Sequence, residues 1–237
     1  MRRAGAVVGT FFEEVRPLIL PGVSTWDLEL FADRFIARNG VRSAFKGYMG
    51  YPAHLCASIN EEVVHGIPSK DRVVREGDIL SIDFGIVREG FYGDSAMTFP
   101  VGAVNGVSSR LLAATERSLA AGISEVRPGN RLGDVSAAVQ EAVEAEGFSV
   151  VRDFVGHGIG RSLHEDPQIP NFGKRGVGPK LMPGMILAIE PMVNAGGWPV
   201  EVLADGWTVV TRDRSRSAHF EHTVAVTEDG HRILSLP

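Results

Sequence analysis

Four acidic residues lie in or beside apolar segments, where carboxylates are uncommon. Asp83 and Asp94 fall on two neighbouring apolar runs, Glu190 ends a third run, and Glu221 lies within a fourth. Carboxylates that are buried together repel each other and lose their hydration, so they need a cation to neutralise them. These residue types in this pattern therefore predict an oxygen-rich site for a divalent metal ion.

A predicted hairpin relates the first two acids to each other. Strand signals precede and follow Arg88-Glu89-Gly90, a turn that contains glycine. With the turn centred between its first two residues, Asp83 faces Asp94 directly, and the two Cβ atoms lie roughly 4.5 to 5.5 Å apart. In a shifted register, one of the two acids would instead point into solvent.

A glycine-rich segment offers a nitrogen ligand. His157 lies within Gly156-His157-Gly158-Ile159-Gly160, and His164 follows seven positions later. Glycine allows the backbone to pass close to a bound ligand. A phosphate-binding loop is the alternative, but no Lys-Ser or Lys-Thr pair follows, and the spacing does not match a dinucleotide-binding motif. Two histidines beside four carboxylates favour a metal or catalytic site.

Two of the acids belong to a sequence repeat, in which the second copy follows the first by a constant offset of 107 residues. Two segments recur at this offset: 21–41 as 128–148, and 77–83 as 184–190. Asp83 and Glu190 therefore end equivalent segments of the two copies. We interpret the repeat as a duplicated unit of helix and strand. It divides a single catalytic domain, 1–237, into pseudo-symmetric halves at about 1–105 and 106–237.

Helices and antiparallel strands are predicted to position these residues. Three segments have the helical spacing of apolar residues: 26–39, 108–121 and 134–146. Ser108 or Ser109 is the predicted N-cap of the second helix. Residues 207–210 and 220–226 are predicted to form a second antiparallel pair. Antiparallel strands with separate helices indicate an α+β fold.

The composition excludes several classes of protein. With 44% hydrophobic and 22% charged residues, a chain of 237 residues can bury a sizeable core. The net charge of −5 gives no basic field for a nucleic acid, so no DNA partner is expected. No apolar run reaches the roughly 20 residues that a membrane span needs, and the first residues lack a signal peptide, which predicts a cytoplasmic protein. The single cysteine, Cys56, agrees with a reducing compartment.

Five separated motifs follow one another over almost the whole chain. They are GYMGYP (47–52), CASINEEVVHGIP (56–68), GHGIG (156–160), IEPMV (189–193) and FEHT (220–223). In content and order they resemble the motifs of type I methionine aminopeptidases. That family has the pita-bread fold, a pseudo-twofold α+β architecture, so the resemblance implies that fold here. The repeat agrees with it.

The resemblance implies a dinuclear metal centre with five ligands: Asp83, Asp94, His157, Glu190 and Glu221. In the family the first acid is bidentate to one metal, the second acid and the last glutamate bridge both metals, and the remaining two ligands complete the shell of the second metal. Such ligands suit two Co²⁺, Mn²⁺ or Fe²⁺ ions, and Zn²⁺ is also compatible. The implied reaction is the hydrolytic removal of the initiator methionine from peptides and nascent chains by a hydroxide that bridges the metals.

The resemblance also implies roles for residues that are not metal ligands. His65 and His164 would contact the substrate and stabilise the tetrahedral intermediate. Glu190 would either carry a proton from water to the leaving amine or serve only as a ligand. The methionine pocket, with His65 at its edge, would be lined by six residues: Phe45, Tyr48, Tyr51, Cys56, Leu163 and Trp207.

Some positions depart from the pattern of the family. Phe45 and Leu163 stand where relatives carry cysteine and phenylalanine, and Met49 stands where a histidine is common. These differences are expected to reshape the mouth of the pocket without abolishing it. A separate basic cluster of three arginines is either a solvated loop or a transient contact with the ribosome: Arg212, Arg214 and Arg216.

Two other functions are compatible with the same motifs. Aminopeptidase P and prolidase share the fold and the five ligands, but they normally carry a large N-terminal domain for which this chain has no room. A non-catalytic relative would use the fold as a binding module, and such proteins usually lose ligands that this chain retains. We therefore expect a monomeric aminopeptidase whose partner is a peptide or nascent chain with N-terminal methionine.

Overall fold

Side-chain caps determine where two of the helices begin. The computed structural model describes residues 1–237, and its α-helices are α1 (Arg2–Val15), α2 (Thr25–Asn39), α3 (Gly106–Ser124) and α4 (Leu132–Glu144). The hydroxyl of Ser24 accepts a hydrogen bond from the backbone N–H of Asp27, which begins α2. In α3, Oδ1 of Asn105 accepts from the N–H of Ser108 at 2.9 Å. The predicted N-cap, Ser108 or Ser109, is therefore wrong, because the side chain of Asn105 caps the helix earlier in the chain.

All strand pairs are antiparallel, which confirms the predicted α+β class. The strands are β1 (Arg42–Ser43), β2 (Leu55–Ile59), β3 (Glu62–Val64), β4 (Ile79–Arg88), β5 (Phe91–Pro100), β6 (Ser149–Val150), β7 (Val155–Gly158), β8 (Glu165–Pro170), β9 (Ile186–Ile189), β10 (Met192–Asn194), β11 (Val200–Val202), β12 (Val209–Thr211), β13 (Ser217–His219), β14 (His222–Thr227) and β15 (Gly230–Ile233). β4 pairs with β5 along one edge and with β1 and β2 along the other. The largest sheet has the order β15-β14-β9-β7-β8.

The repeat in the sequence is also a repeat in the structure. An isolated β-bridge joins Ser24 to Val73 in front of α2, and another joins Arg131 to Lys180 in front of α4. Both members of the second bridge follow those of the first by the offset of the sequence repeat, since 131 − 24, 180 − 73 and 128 − 21 are equal. The first residues of β4 and β9 share that offset. The two halves therefore contain the same unit of bridge, helix and strand.

The hairpin of β4 and β5 differs in register from the prediction. Asp94 pairs with Gly85, and Asp83 pairs with Ala96, so the two acids are diagonal neighbours instead of directly opposed residues. The turn is Glu89-Gly90, and both residues have positive φ, 53° and 78°, as a two-residue hairpin turn requires. Because the register shifts by two positions, both acids still lie on one face of the sheet.

The predicted pairing of residues 207–210 with residues 220–226 is wrong. β12 lies between β11 and β3, whereas β14 lies between β9 and β15. The reason is that β11 and β12 form a hairpin inserted between β10 and β13, and this hairpin pairs with β3 of the first half. The insertion thus joins the two halves across the molecule.

Each half has its own apolar core. One cluster of buried side chains comes from the first half, where the ring of Phe11 in α1 stacks on Phe84 of β4 at 3.7 Å. A second cluster packs α3 and α4 against β9 and β14. No helix has both the length and the apolar character that crossing a bilayer requires.

Candidate metal centre

The four acids meet where the two halves face each other. Asp83 lies on β4 and Asp94 on β5. Glu190 lies between β9 and β10, and Glu221 lies between β13 and β14, so both glutamates occupy interruptions of the strands. All four acids and His157 line one cavity of about 180 Å³. The structure therefore brings together all five residues of the predicted ligand set.

The distances within this group suit a shared cation. One ligand atom from each of Asp94, His157 and Glu221 lies within 4.8 Å of the others. Nε2 of His157 is also 3.5 Å from Oε1 of Glu190. His157 is placed by β7, whose glycines allow close packing, since a Cβ on Gly156 would lie 2.4 Å from the carbonyl oxygen of Ala188.

Several of the acid oxygens are buried without any hydrogen-bond donor. They are Oδ1 of Asp83, Oδ1 of Asp94 and Oε1 of Glu221. A buried oxygen without a donor is costly in a folded protein unless a cation satisfies it. The donor set of carboxylates and one imidazole therefore fits a divalent metal ion.

The acids also raise one another's pKa values. Burial and then the charges of Asp94 and Glu190 raise the pKa of Asp83 well above its usual range. Burial raises the pKa of Asp94 to about 7. The pKa values of Glu190 and Glu221 are likewise raised well above the usual range, by burial first and then by the charge of Asp94. A bound cation would reverse these shifts, because it favours the ionised carboxylates.

Hydrogen bonds between the two halves hold Asp94 and Glu221 in place. The hydroxyl of Thr223 donates to the carbonyl oxygen of Asp94 at 2.7 Å and accepts from its N–H at 3.2 Å. The N–H of Glu221 donates to the carbonyl oxygen of Ala96 at 2.8 Å. The backbones of β5 and of the segment before β14 are therefore joined at the level of the acids.

Two further histidines approach the acids from the loops. His65 follows β3 with a positive φ of 62°, and His164 precedes β8. Burial and the neighbouring His164 lower the pKa of His65 to about 4. Burial also lowers the pKa of His164, whose Nδ1 lies 2.7 Å from the hydroxyl of Tyr48. Both imidazoles are therefore neutral at pH 7.

The rest of the cavity is apolar, and all six predicted pocket residues line it: Phe45, Tyr48, Tyr51, Cys56, Leu163 and Trp207. The rings of Tyr51 and Trp207 meet edge to face at 5.0 Å. The hydroxyl of Tyr51 lies 3.1 Å from the carbonyl oxygens of Leu55 and Gly66. Met49 also lines the cavity and is 82% exposed, so it lies at the mouth. The cavity thus has carboxylates at one end and apolar side chains at the other.

Comparisons with known proteins agree with this arrangement. Residues 1–228 match the model of metallopeptidase family M24. The chain belongs to this family. Its sequence is 54% identical to methionine aminopeptidase 1 of Bacillus subtilis, over 99% of this chain and 94% of that protein.

Solved structures place this M24 member among proteins of the pita-bread fold. The crystal structure of a methionine aminopeptidase from Thermotoga maritima is 51% identical, with a TM-score of 0.99, and the match covers 100% of this chain and 95% of that one. A prolidase from Pyrococcus horikoshii has a TM-score of 0.79 at 18% identity, and the match covers 99% of this chain and 60% of the prolidase. The second likeness shows the fold alone. The resemblance to type I methionine aminopeptidases is confirmed.

Sequence reasoning about this M24 member missed one residue near the acids. His219 on β13 is 1% exposed, and its Nε2 lies 3.6 Å from Oε2 of Glu190. Burial and then the nearby His65 lower the pKa of His219 to about 3. The available signal was its place two residues before Glu221, which puts the two side chains on the same side of an extended chain.

The three arginines of the basic cluster all have partners inside the fold. The guanidinium of Arg212 donates to the carbonyl oxygen of Val200, and that of Arg216 donates to the hydroxyl of Ser108. Arg214 forms an ion pair with Glu201 at 2.6 Å. Val200 and Glu201 belong to β11 and Ser108 to α3, so these contacts hold the loop against the inserted hairpin and against α3. The ribosome contact stays a prediction.

Proposed function

We propose that this M24 peptidase hydrolyses the first peptide bond of peptides and nascent chains that begin with methionine. The observation that carries the proposal is one cavity of about 180 Å³, in which buried carboxylates adjoin apolar side chains. The methionine side chain would pack against Tyr51 and Trp207 in the apolar end of the cavity, with the scissile bond beside the acids. The relatives named methionine aminopeptidase support the same reaction.

Two divalent metal ions are proposed as cofactors, with the five clustered residues as their ligands: Asp83, Asp94, His157, Glu190 and Glu221. When bound, such ions would supply Lewis acidity, which lowers the pKa of a water between them and polarises the scissile carbonyl. Four carboxylates would balance the four positive charges of two divalent ions. This balance favours a dinuclear site over a mononuclear one.

The neutral histidines would act on the substrate. Both line the cavity: the ring of His164 lies 4.3 Å from that of His157, and the ring of His65 lies 6.3 Å from that of Trp207. An N–H from each would stabilise the negative charge that develops on the carbonyl oxygen. Glu190 would receive the proton of the attacking water and deliver it to the leaving amine.

The selectivity for a chain end would follow from the shape of the cavity. The free amino group of the substrate would bind at the metal end of the cavity, which a residue inside a chain cannot do, and the rest of the chain would leave past Met49 at the mouth. The whole chain, 1–237, would act as one catalytic domain. The cytoplasmic location and the monomeric state stay predictions.

The test is metal-dependent release of methionine from Met-Ala-Ser. We expect EDTA-treated protein to be inactive and to regain activity with Mn²⁺, Fe²⁺, Co²⁺ or Zn²⁺, assayed one metal at a time. Asp94→Asn should abolish release while the protein stays folded, because the amide has the size of the carboxyl but lacks its charge. Asp229→Asn, at an exposed turn, is the matched control. Full activity of Asp94→Asn or of the EDTA-treated protein would refute the proposal.

The same assay separates the main alternative. A prolidase or aminopeptidase P would hydrolyse an Ala-Pro peptide in preference to Met-Ala-Ser. We expect the opposite preference, because the apolar pocket would hold the side chain of the first residue.

A further inference from the structure

His219 is held rigidly between the two halves of the protein. On β13 it pairs with Met192 of β10, two residues after Glu190. Its backbone N–H donates to the hydroxyl of Thr98 at 2.8 Å, and the same hydroxyl donates to its carbonyl oxygen at 2.8 Å. Thr98 in turn lies 2.8 Å from the hydroxyl of Ser81 on β4. The imidazole therefore projects from a backbone with little freedom to move.

The imidazole of His219 has no hydrogen-bond partner for its buried Nε2. Oε2 of Glu190 lies 3.6 Å from this nitrogen. A neutral imidazole carries one N–H, and a carboxylate is only an acceptor, so the pair is complementary when the proton is on Nε2. A buried nitrogen left without a partner would destabilise the fold, which favours contact with the carboxylate.

The two oxygens of Glu190 face different histidines. Oε1 lies 3.5 Å from Nε2 of His157, which is among the proposed metal ligands. Oε2 lies toward His219 on the other side. A donor at Oε2 would restrain rotation of the carboxylate and keep Oε1 directed at the cluster. Outer contacts of this kind are known to orient metal-binding carboxylates.

We propose that His219 is a positioning residue, whose Nε2–H donates to Oε2 of Glu190 and so orients Oε1 toward the metal ions. This inference rests on the proposed function, because it assigns Glu190 to the metal shell. It adds to that function a residue that would contact neither metal nor substrate.

The experiment compares three variants of His219. His219→Leu removes the donor. His219→Gln retains a side-chain N–H of similar reach, whereas the shorter side chain of His219→Asn cannot bring its N–H to Glu190. Mn²⁺ affinity is measured by calorimetry on EDTA-treated protein, and kcat and KM are measured with Met-Ala-Ser. Unfolding of the metal-free protein reports whether each variant is folded.

We expect His219→Leu to weaken Mn²⁺ binding about 10- to 100-fold and to lower kcat, with little change in KM. His219→Gln should stay within a few-fold of the unchanged protein, and His219→Asn should resemble His219→Leu. If His219→Leu does not fold, the Mn²⁺ affinities of His219→Gln and His219→Asn decide whether the N–H is needed. The control is His222→Gln, on the other side of Glu221, whose Nδ1 is bonded to the hydroxyl of Ser235 at 2.8 Å. That variant should bind Mn²⁺ normally.

Unchanged Mn²⁺ affinity in His219→Leu, or equal loss in Gln and Leu, would overturn the inference. The outcome for the proposed function is separate. If unchanged protein binds Mn²⁺ but does not release methionine, the proposed reaction is wrong, and the Mn²⁺ titrations still decide the role of His219.

Discussion

The hydroxyl of Tyr48 lies 2.7 Å from Nδ1 of His164, and this bond joins the wall of the apolar pocket to a histidine beside the acids. A phenol that donates to Nδ1 leaves the imidazole proton on Nε2. The free N–H can then face the substrate. Tyr48 would thus select the tautomer that stabilises a developing oxyanion.

We expect Tyr48→Phe to lower kcat/KM for Met-Ala-Ser by roughly 2- to 10-fold, because a hydrogen bond of this kind contributes about 0.5 to 1.5 kcal/mol. The loss should fall mainly on kcat, since the ring that lines the pocket is retained. Tyr92→Phe, on β5 outside the cavity lining, is the control and should leave both constants unchanged. If Tyr48→Phe and the unchanged protein have equal kcat/KM, Tyr48 does not select the tautomer of His164.

The buried carboxyls should make the metal-free protein less stable as the pH rises above neutrality. Burial raises the pKa of Asp94 to about 7, and the pKa values of Asp83 and Glu221 are also raised well above their usual range. Unfolded Asp and Glu side chains titrate near about 4. Above that pH the folded chain binds more protons than the unfolded chain, so the free energy of unfolding falls as the pH rises through about 7.

The buried histidines act in a lower pH range. Burial lowers the pKa of His65 and His157 to about 4. Their contribution to stability is complete above about pH 6.5, the unfolded value, and is lost as the pH falls. Between about pH 6.5 and 8 we therefore expect the unfolding midpoint of EDTA-treated protein to fall, and that of Mn²⁺-saturated protein to change little. A flat profile without metal would show that the raised pKa values are wrong.

Trp207 closes the apolar pocket against Tyr51. Trp207→Ala should raise KM for Met-Ala-Ser about tenfold or more, because burying a methionine side chain contributes about 1.5 to 3 kcal/mol. Mn²⁺ affinity should not change, since the indole is not one of the proposed ligands. Trp198→Ala, a residue that is 40% exposed and outside the cavity lining, provides the comparison. Similar KM values for the two variants would show that Trp207 does not contribute to binding the methionine side chain.

Gly85 leaves room for both the pocket and the acids. A Cβ at this position would lie 2.8 Å from Cε1 of Phe45 and 3.0 Å from Oδ1 of Asp94. Because both neighbours are buried, we expect Gly85→Ala to destabilise the protein by about 1 to 3 kcal/mol and to weaken Mn²⁺ binding. Gly106→Ala, where no atom lies within 4 Å of the added Cβ, should do neither. Denaturant unfolding and calorimetry would show the difference.

The cluster of four acids and a histidine could be predicted because unusual residue types coincide with a repeat. Asp83 and Glu190 end equivalent apolar segments, and the structure places both in one cavity. The hairpin register could not be predicted, because it depends on which two residues adopt positive φ. Glu89 and Gly90 do so. As a result, Asp94 pairs across the hairpin with Gly85 instead of the predicted partner, Asp83. His219 was overlooked because its place two residues before Glu221 does not show that it approaches Glu190.

The sequence by itself determined the features that depend on neighbouring residues or on the repeat. These include the helices α2, α3 and α4, the antiparallel class, the constant offset between the two halves and the set of metal-binding residue types. Only the tertiary structure decided which atoms of that set face one another. The hydrogen bonds that fix this arrangement join distant parts of the chain. Thr98 and His219 are 121 residues apart in sequence, and Asp94 and Thr223 are 129 residues apart. Local propensities do not encode such contacts, because they arise only when the two halves pack together.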